Sequence, residues 1–441
     1  MSRIGYRLAI LALLPAVPLS AQSLDLTVGG TGISIGDSRR VNGIRINFRD
    51  SRLDYVNGIN ATIWSPYRRG HGDINGLALG VPVTGGENIT GLLVAGLGAE
   101  VRNDFAGIGV SGLGMGIGGD ASGIIMSGLG VGAGGNISGI AIGGAGGGTG
   151  GNIHGLAIGG LGFGVSGHSS GLLVGGLGAG VGGDVSGLAV GGLGIGAGGR
   201  VQGIMIGGLG VAAGEGGAGA LIGGIGAGVG GDFDGLLLSG VGSGLGGRFR
   251  GIAISGVGIG GGGSFSGIGI SGVGTGVDGN VTGLLLNGVG MGVGGDATGV
   301  FVNGFGMGSG GTISFLSING FGVGAPRIRG AAFAGGVIAT PDAKGLMVAG
   351  GWIRVRNDFN DDDFDRRRRR GGRSSGLGEA RFHGVGVSAF NQVYGVQRGL
   401  TIGIVNYAWT LHGVQLGLIN IVRNNPPARR ILPIVNWGSM R

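Results

Sequence analysis

From Gly91 onward the apolar positions of the chain recur on a step of sixteen. Glycines that open a G-Φ-x-Φ phrase, with Φ apolar, stand at 91, 107, 123, 139, 155, 171, 187, 203, 219, 235, 251, 267, 283 and 299, and Phe315 takes the next such place. We number that opening position slot 1. Slots 2 and 4 are always apolar, as in Leu188 and Val190. Slots 5 and 6 are small: Gly-Gly, Ser-Gly, or Asn-Gly at Asn287-Gly288, Asn303-Gly304 and Asn319-Gly320. Slots 7, 9 and 11 are mostly apolar with Gly between them. Slots 12 to 14 are a turn, typically Gly-Gly followed by Asp, Asn, Arg, His or Ser, and slot 15 is usually apolar again. Looser copies open at Gly43, Gly58, Gly76, Gly330, Gly345, Gly384, Gly399 and Gly413.

A helix does not fit this phrase. Each interior Gly costs about 1 kcal/mol relative to Ala, and every copy carries several. The turns also interrupt each apolar stretch before the ~20 residues of a membrane-spanning helix are reached. Alternation over about five residues followed by a turn predicts a strand, so each copy reads as two short strands and two turns. The Asn-Gly and Gly-Gly pairs are expected to supply positive φ at the corners.

Two architectures follow. In a β-solenoid each copy is one coil, and equal slots stack about 4.8 Å apart. In the alternative, a large β-barrel or sheet, each copy is a hairpin. Transmembrane strands need roughly 9–11 residues, longer than these, and more than twenty hairpins would exceed common barrels. The solenoid is preferred. It places Leu172, Leu188 and Ile204 in one inward ladder and Val174, Val190 and Ile206 in another, with slot 3 pointing outward. It also sets Asp232 and Asp234 beside Arg248 and Arg250, and Asp184 beside Arg200. Stacking is obligatory: one coil buries about five apolar side chains at roughly 1.5–3 kcal/mol each, against an ordering cost of about 1–2 kcal/mol for each backbone residue.

Composition narrows the reading further. Glycine is 123 of 441 residues, hydrophobic residues are 42% and charged residues 12%. Collagen needs Gly at every third position with abundant Pro, and there are only 9 Pro. A flexible Gly/Ser linker would lack the apolar residues. No boundary for a second domain is visible. Residues 1–21, MSRIGYRLAILALLPAVPLSA, read as a secretory signal peptide with a basic start, an apolar core and a small-residue cleavage site. Residues 22–90 are irregular copies that cap the start, 91–325 the regular copies, and 326–441 irregular copies with a C-terminal cap. A charged loop is expected at 357–378, mobile and inserted where a turn would be. There is no Cys, hence no disulfide or thiol chemistry. Net charge is +8, but DDDFDRRRRR (361–370) sets both signs side by side and reads as a self-neutralising loop.

Motifs for chemistry all have plainer readings. GxGxxG-like strings such as Gly171 to Gly176 belong to the repeat and precede no helix, unlike a dinucleotide loop. Gly-Gly-Asp turns are like those of calcium-binding repeats, yet Arg200 and Arg248 occupy the same slot. The acidic run Asp358 to Asp365 has oxygen ligands close together, with Arg366 to Arg370 competing for them. His71, His154, His168, His383 and His412 are scattered, with His154 and His168 on turns. No catalytic, cofactor-binding or metal-binding residue is assigned. Trp64, Trp352, Trp409 and Trp437 lie toward the ends, with Tyr55, Tyr67, Tyr394 and Tyr407, and read as end-capping and core filling rather than a recognition surface.

The stretch GLTIGIVNYAWTLHGVQLGLINIVRNNP (399–426) contains two copies of G-Φ-x-Φ-G-Φ-Φ-N. Over about forty residues it resembles the bacterial surface-repeat proteins with recurring GLxIGLxN units; over the glycine-rich middle the likeness is generic. That resemblance implies an exported, surface-associated protein and brings no catalytic residues with it. The expected function is an exported structural or adhesive surface repeat protein, not an enzyme. The alternative is an outer-membrane-associated β protein with an apolar lipid-facing surface, motivated by apolar slot 3 residues Leu173, Met205, Leu237, Leu285 and Phe301. Expected partners are the cell envelope or membrane surface and further copies of the chain, with no specific nucleic acid, small-molecule substrate or cofactor.

Overall fold

A computed structural model describes residues 23–67, 72–357 and 380–438. It is almost all β, 71% strand without α-helix, wound as a β-solenoid of about 21 turns of about 16 residues each. The expected signal peptide at 1–21, His71, the acidic run at 358–365 and nearly all of the expected charged loop at 357–378 fall outside the described residues.

One coil shows how the sequence makes the fold. Val185–Gly191 is a long strand over slots 15 to 5, and Gly194–Ala197 is a short strand over slots 8 to 11. Both pair in parallel with the same slots of the next coil: Leu188 faces Ile204, Val190 faces Ile206, and Ile195 faces Val211. Parallel pairing at a constant sixteen-residue offset is the signature of coils. Hairpins in a barrel would pair antiparallel.

The chain divides at Gly171/Leu172 into two compact units. The first begins with an antiparallel hairpin, Leu24–Val28 against Thr31–Ile35, and continues through the irregular coils into regular ones. The second ends on an antiparallel strand, Ile431–Trp437, laid along 414–421. In the second unit Gly345 pairs directly with Gly384, thirty-nine residues on, and Lys344 with His383. The described coils on either side of residues 358–379 therefore keep the common register.

The inward ladders differ from those expected. Slots 3, 5, 9, 11 and 15 face inside: Met205, Leu237, Leu285 and Phe301 are fully buried. Slots 2 and 4 face out, with Leu188 at 37%, Ile204 at 43% and Ile206 at 36% exposure. Leu188 and Ile204 do stack in register, but on the outer face. The reason lies in how the narrow interior is filled. Slot 3 varies because it trades volume with slot 15 of the same strand: Phe265 goes with Gly269 and Phe249 with Ala253, whereas Gly217 goes with Leu221 and Ala297 with Phe301. A Cβ on Gly269 would press on the Phe265 ring and on Leu285, so the pairing is a packing constraint. Phe233, Phe249 and Phe265 stack along the core at centroid spacings of 6.3 and 5.1 Å.

Positive φ also falls elsewhere than expected. It belongs to slot 1, within the long strand, at +119° in Gly187 and +144° in Gly203. A Cβ on Gly203 would run into the carbonyl oxygen of Gly187. The corner glycines of slots 6 and 12 have ordinary φ. They are small because the preceding coil's carbonyl lies where their Cβ would be, as at Gly192 and Gly198.

Candidate functional site

The charged turns come first, since sequence placed opposite charges there. In the first unit the Oδ1 of Asp104 accepts the backbone N–H of Asp120 at 2.8 Å, and the Oδ1 of Asp120 accepts that of Asn136 at 2.6 Å. Asn136 and Asn152 continue the series to His168. In the second unit Asp184 accepts from Arg200, Asp232 from Arg248, and Asp296 from Thr312. Slot 14 is thus a ladder in which each Asp or Asn holds the backbone of the next coil. Arg248 adds an ion pair to Asp232 at 3.0 Å. The Arg248 backbone N–H and then its charge hold the Asp232 carboxyl below the usual carboxylate value. Asp234 and Arg250 are register partners, as expected. These carboxylates serve the stack, and among the described residues no three His, Asp or Glu side chains gather as metal ligands. His154 lines a shallow groove of about 430 Å³ with Asp104, Asp120, Asn136 and Asn152. His383 is exposed in the long strand Ala380–Val387, one residue before Gly384, as His154 stands one residue before Gly155 in Ile153–Gly159.

A second cluster was not foreseen. In the first coils the inward slot 3 becomes polar: Ser34, Arg45 and Asn60 are completely buried, before Ala78 and Leu93 restore the apolar core. Arg45 donates from Nε to the Ser38 carbonyl at 2.9 Å, and from Nη1 to Asn60 at 2.9 Å and to Asp50. Its Nη2 meets Asp37 at 3.0 Å. Ser34 and Ser38 both donate to Asp25 and lower its carboxyl pKa. Arg45 is satisfied by Asp37, Asp50, Asn60 and the Ser38 carbonyl, and Asp25 by serine hydroxyls, so the cluster closes the end of the core as a hydrogen-bonded polar cap. The signal was present in the phrase G-I-R-I-N at Gly43. With slot 3 expected to point outward, nothing in that phrase marked the arginine as buried.

The third feature is the outer face. The slot 3 residues Leu173, Met205, Leu237, Leu285 and Phe301, expected to form an exposed stripe, are buried. The exposed stripe lies on slots 2, 4 and 7 instead. In the second unit slot 7 alone presents Leu177, Leu193, Leu209, Ile225, Val241 and Val257 at 47–52% exposure. In the first unit a groove of about 400 Å³ between slot 4 and the corner is lined by Ile35, Ile46, Phe48, Ile63, Leu79 and Val81. From Gly107 to Ala325 no charged residue occupies slots 1 to 11; every one falls in slots 12 to 16. Each coil is therefore amphipathic around its circumference.

The tryptophans do not fill the core. Trp64, Trp352, Trp409 and Trp437 are 39–51% exposed. Arg423 lies over Trp409 at 5.8 Å and Arg429 over Trp437 at 5.9 Å, and Trp437 sits on the strand that closes the second unit.

Comparison of the chain with family models gives no match. Comparison with curated proteins and with solved structures gives none either.

Proposed function

We propose that the protein is an exported structural or adhesive repeat protein of a bacterial cell surface. The observation that carries this reading is the division of labour within each coil. Inward slots fill a continuous core, slot 14 locks coil to coil, and slots 2, 4 and 7 leave a charge-free apolar face. Exposed patches of that extent mark contact surfaces. The signal-peptide pattern of residues 1–21 and the likeness of 399–426 to surface-repeat sequences support export. The test is fractionation of a didermal host that expresses the full chain, with protease added to intact cells. Recovery in the envelope fraction with cleavage from outside supports the reading; a protease-protected cytoplasmic pool overturns it. A second reading, an outer-membrane protein with lipid on the apolar face, draws on the same slots 2, 4 and 7. Release by carbonate favours the first reading, and a requirement for detergent the second.

A further inference from the structure

We infer that the apolar face of the second unit is a self-association surface, its occupant being the same face of another copy of this chain. This gives the scaffold reading its mode of assembly and rests on that reading for its biological sense only; the geometry stands apart from where the protein resides.

Consider the coils opening at Gly187 through Phe315. Each presents three side chains outward, in slots 2, 4 and 7. Leu193, Leu209 and Ile225 are about half exposed, and Ile204 and Ile206 somewhat less. At on the order of 50 Å² of apolar surface per side chain, nine coils present upward of about 1,000 Å². A stable interface needs about 800 Å² per partner, and a typical monomer's largest apolar patch is about 300–600 Å².

The chemistry of the face selects the occupant. Its backbone is closed: the Leu209 N–H donates to the Leu193 carbonyl at 2.6 Å, and Ile225 to Leu209 at 2.7 Å. A partner strand has nothing to pair with there, so contact is through side chains alone. Those side chains repeat coil by coil, in register, about 4.8 Å apart. A partner with the same repeat can interdigitate along the whole length, as paired sheets with identical ladders do. Lipid fits less well. Faces that lie on membranes are flanked by Lys or Arg and carry Trp or Tyr. Between Leu172 and Ala325 there is neither Trp nor Tyr, and six acidic residues (Asp184, Glu215, Asp232, Asp234, Asp278, Asp296) outnumber three arginines (Arg200, Arg248, Arg250).

The experiment is sedimentation equilibrium of the purified full chain without detergent, beside the triple variant Leu193→Lys, Leu209→Lys, Ile225→Lys. The wild type is expected to be a dimer or larger. The variant should weaken association by at least about a hundredfold, with its strand spectrum unchanged and its melting no longer dependent on protein concentration. A cysteine variant keeps the test decisive if the triple variant does not fold. Val241→Cys should oxidise to covalent dimers, and Gly244→Cys, on the short-strand face, should not. Three results overturn the proposal. One is a wild type that stays monomeric and binds nothing. Another is a monomer that sediments with phosphatidylcholine–phosphatidylglycerol vesicles through this face, which would assign it to lipid. The third is a dimer that survives the triple substitution. Because the protein is purified, none of these depends on its cellular location.

Discussion

Asn303 donates from Nδ2 to the Oδ1 of Asn319 at 2.9 Å, one coil further on, and the Asn319 amide nitrogen has no acceptor of its own. Asn287 donates in turn to Asn303 at 2.8 Å. All three are buried in slot 5. Replacing Asn303 with Ala strands a donor on one side and an acceptor on the other. It should destabilise the surrounding coils by about 2–4 kcal/mol. Asn319→Ala also removes an unsatisfied donor and should cost about 1 kcal/mol or less. Hydrogen-exchange protection of residues 281–334 reads the difference. Equal effects would mean that the ladder does not act as a chain.

Phe315 stands where every regular coil has glycine, with φ of +86° and its ring 67% exposed. A non-glycine residue in that region is strained, and little burial is lost with the ring. Phe315→Gly should stabilise the second unit by about 1 kcal/mol, seen as a rise in urea midpoint. A fall would show that the ring contributes a contact worth more than the strain.

Arg45 offers the opposite case. Removing it leaves Asp37 and Asp50 facing one another in the core without their cation. Arg45→Met should cost about 3–5 kcal/mol and open the first coils to proteolysis before the rest of the first unit. An unchanged digestion pattern would contradict the cap.

Asp232 links sequence to pH. Its carboxyl is held below the usual value by the Arg248 backbone N–H and charge. The stabilisation is therefore complete above the unfolded carboxylate pKa, near 3.9, and is lost as pH falls through the lower folded value. Asn136 and Asn152 make the same backbone bond without charge. Asp232→Asn should thus keep the coil and remove this part of the acid sensitivity, whereas Asp232→Ala should loosen the turn at neutral pH. The check is exchange at the Arg248 amide between pH 3 and 6. Identical behaviour of the two variants would refute the ladder.

The sixteen-residue step, the strands, the coil stacking and the Asp232–Arg248 contact were all legible, because each depends only on spacing. Which side of the strand faces in was not. Two sets of apolar positions compete for the interior, and the more uniform set, slots 2 and 4, looked like the core. In a coil this narrow uniformity marks the outside. The inside varies because Phe265 must make room with Gly269 and Gly217 must be filled by Leu221. The same inversion hid Arg45, because slot 3 was expected to point outward. Trp64 and Trp409 were expected partly to fill the core because a large aromatic suggests burial, yet both are about half exposed, with Arg423 lying over Trp409.

The direct pairing of Gly345 with Gly384 has a consequence for how such a chain can change over generations. Added residues that leave and re-enter at a turn are invisible to the rest of the stack. Duplication or loss of a whole coil is equally silent, lengthening or shortening the assembly by about 4.8 Å while every neighbour keeps its partner. A single-residue deletion within a long strand is another matter, since it exchanges the two faces from that point to the next turn. Recombination between near-identical copies will therefore yield viable proteins of different lengths far more readily than point deletions yield viable proteins of the same length. Reach becomes the trait most open to selection.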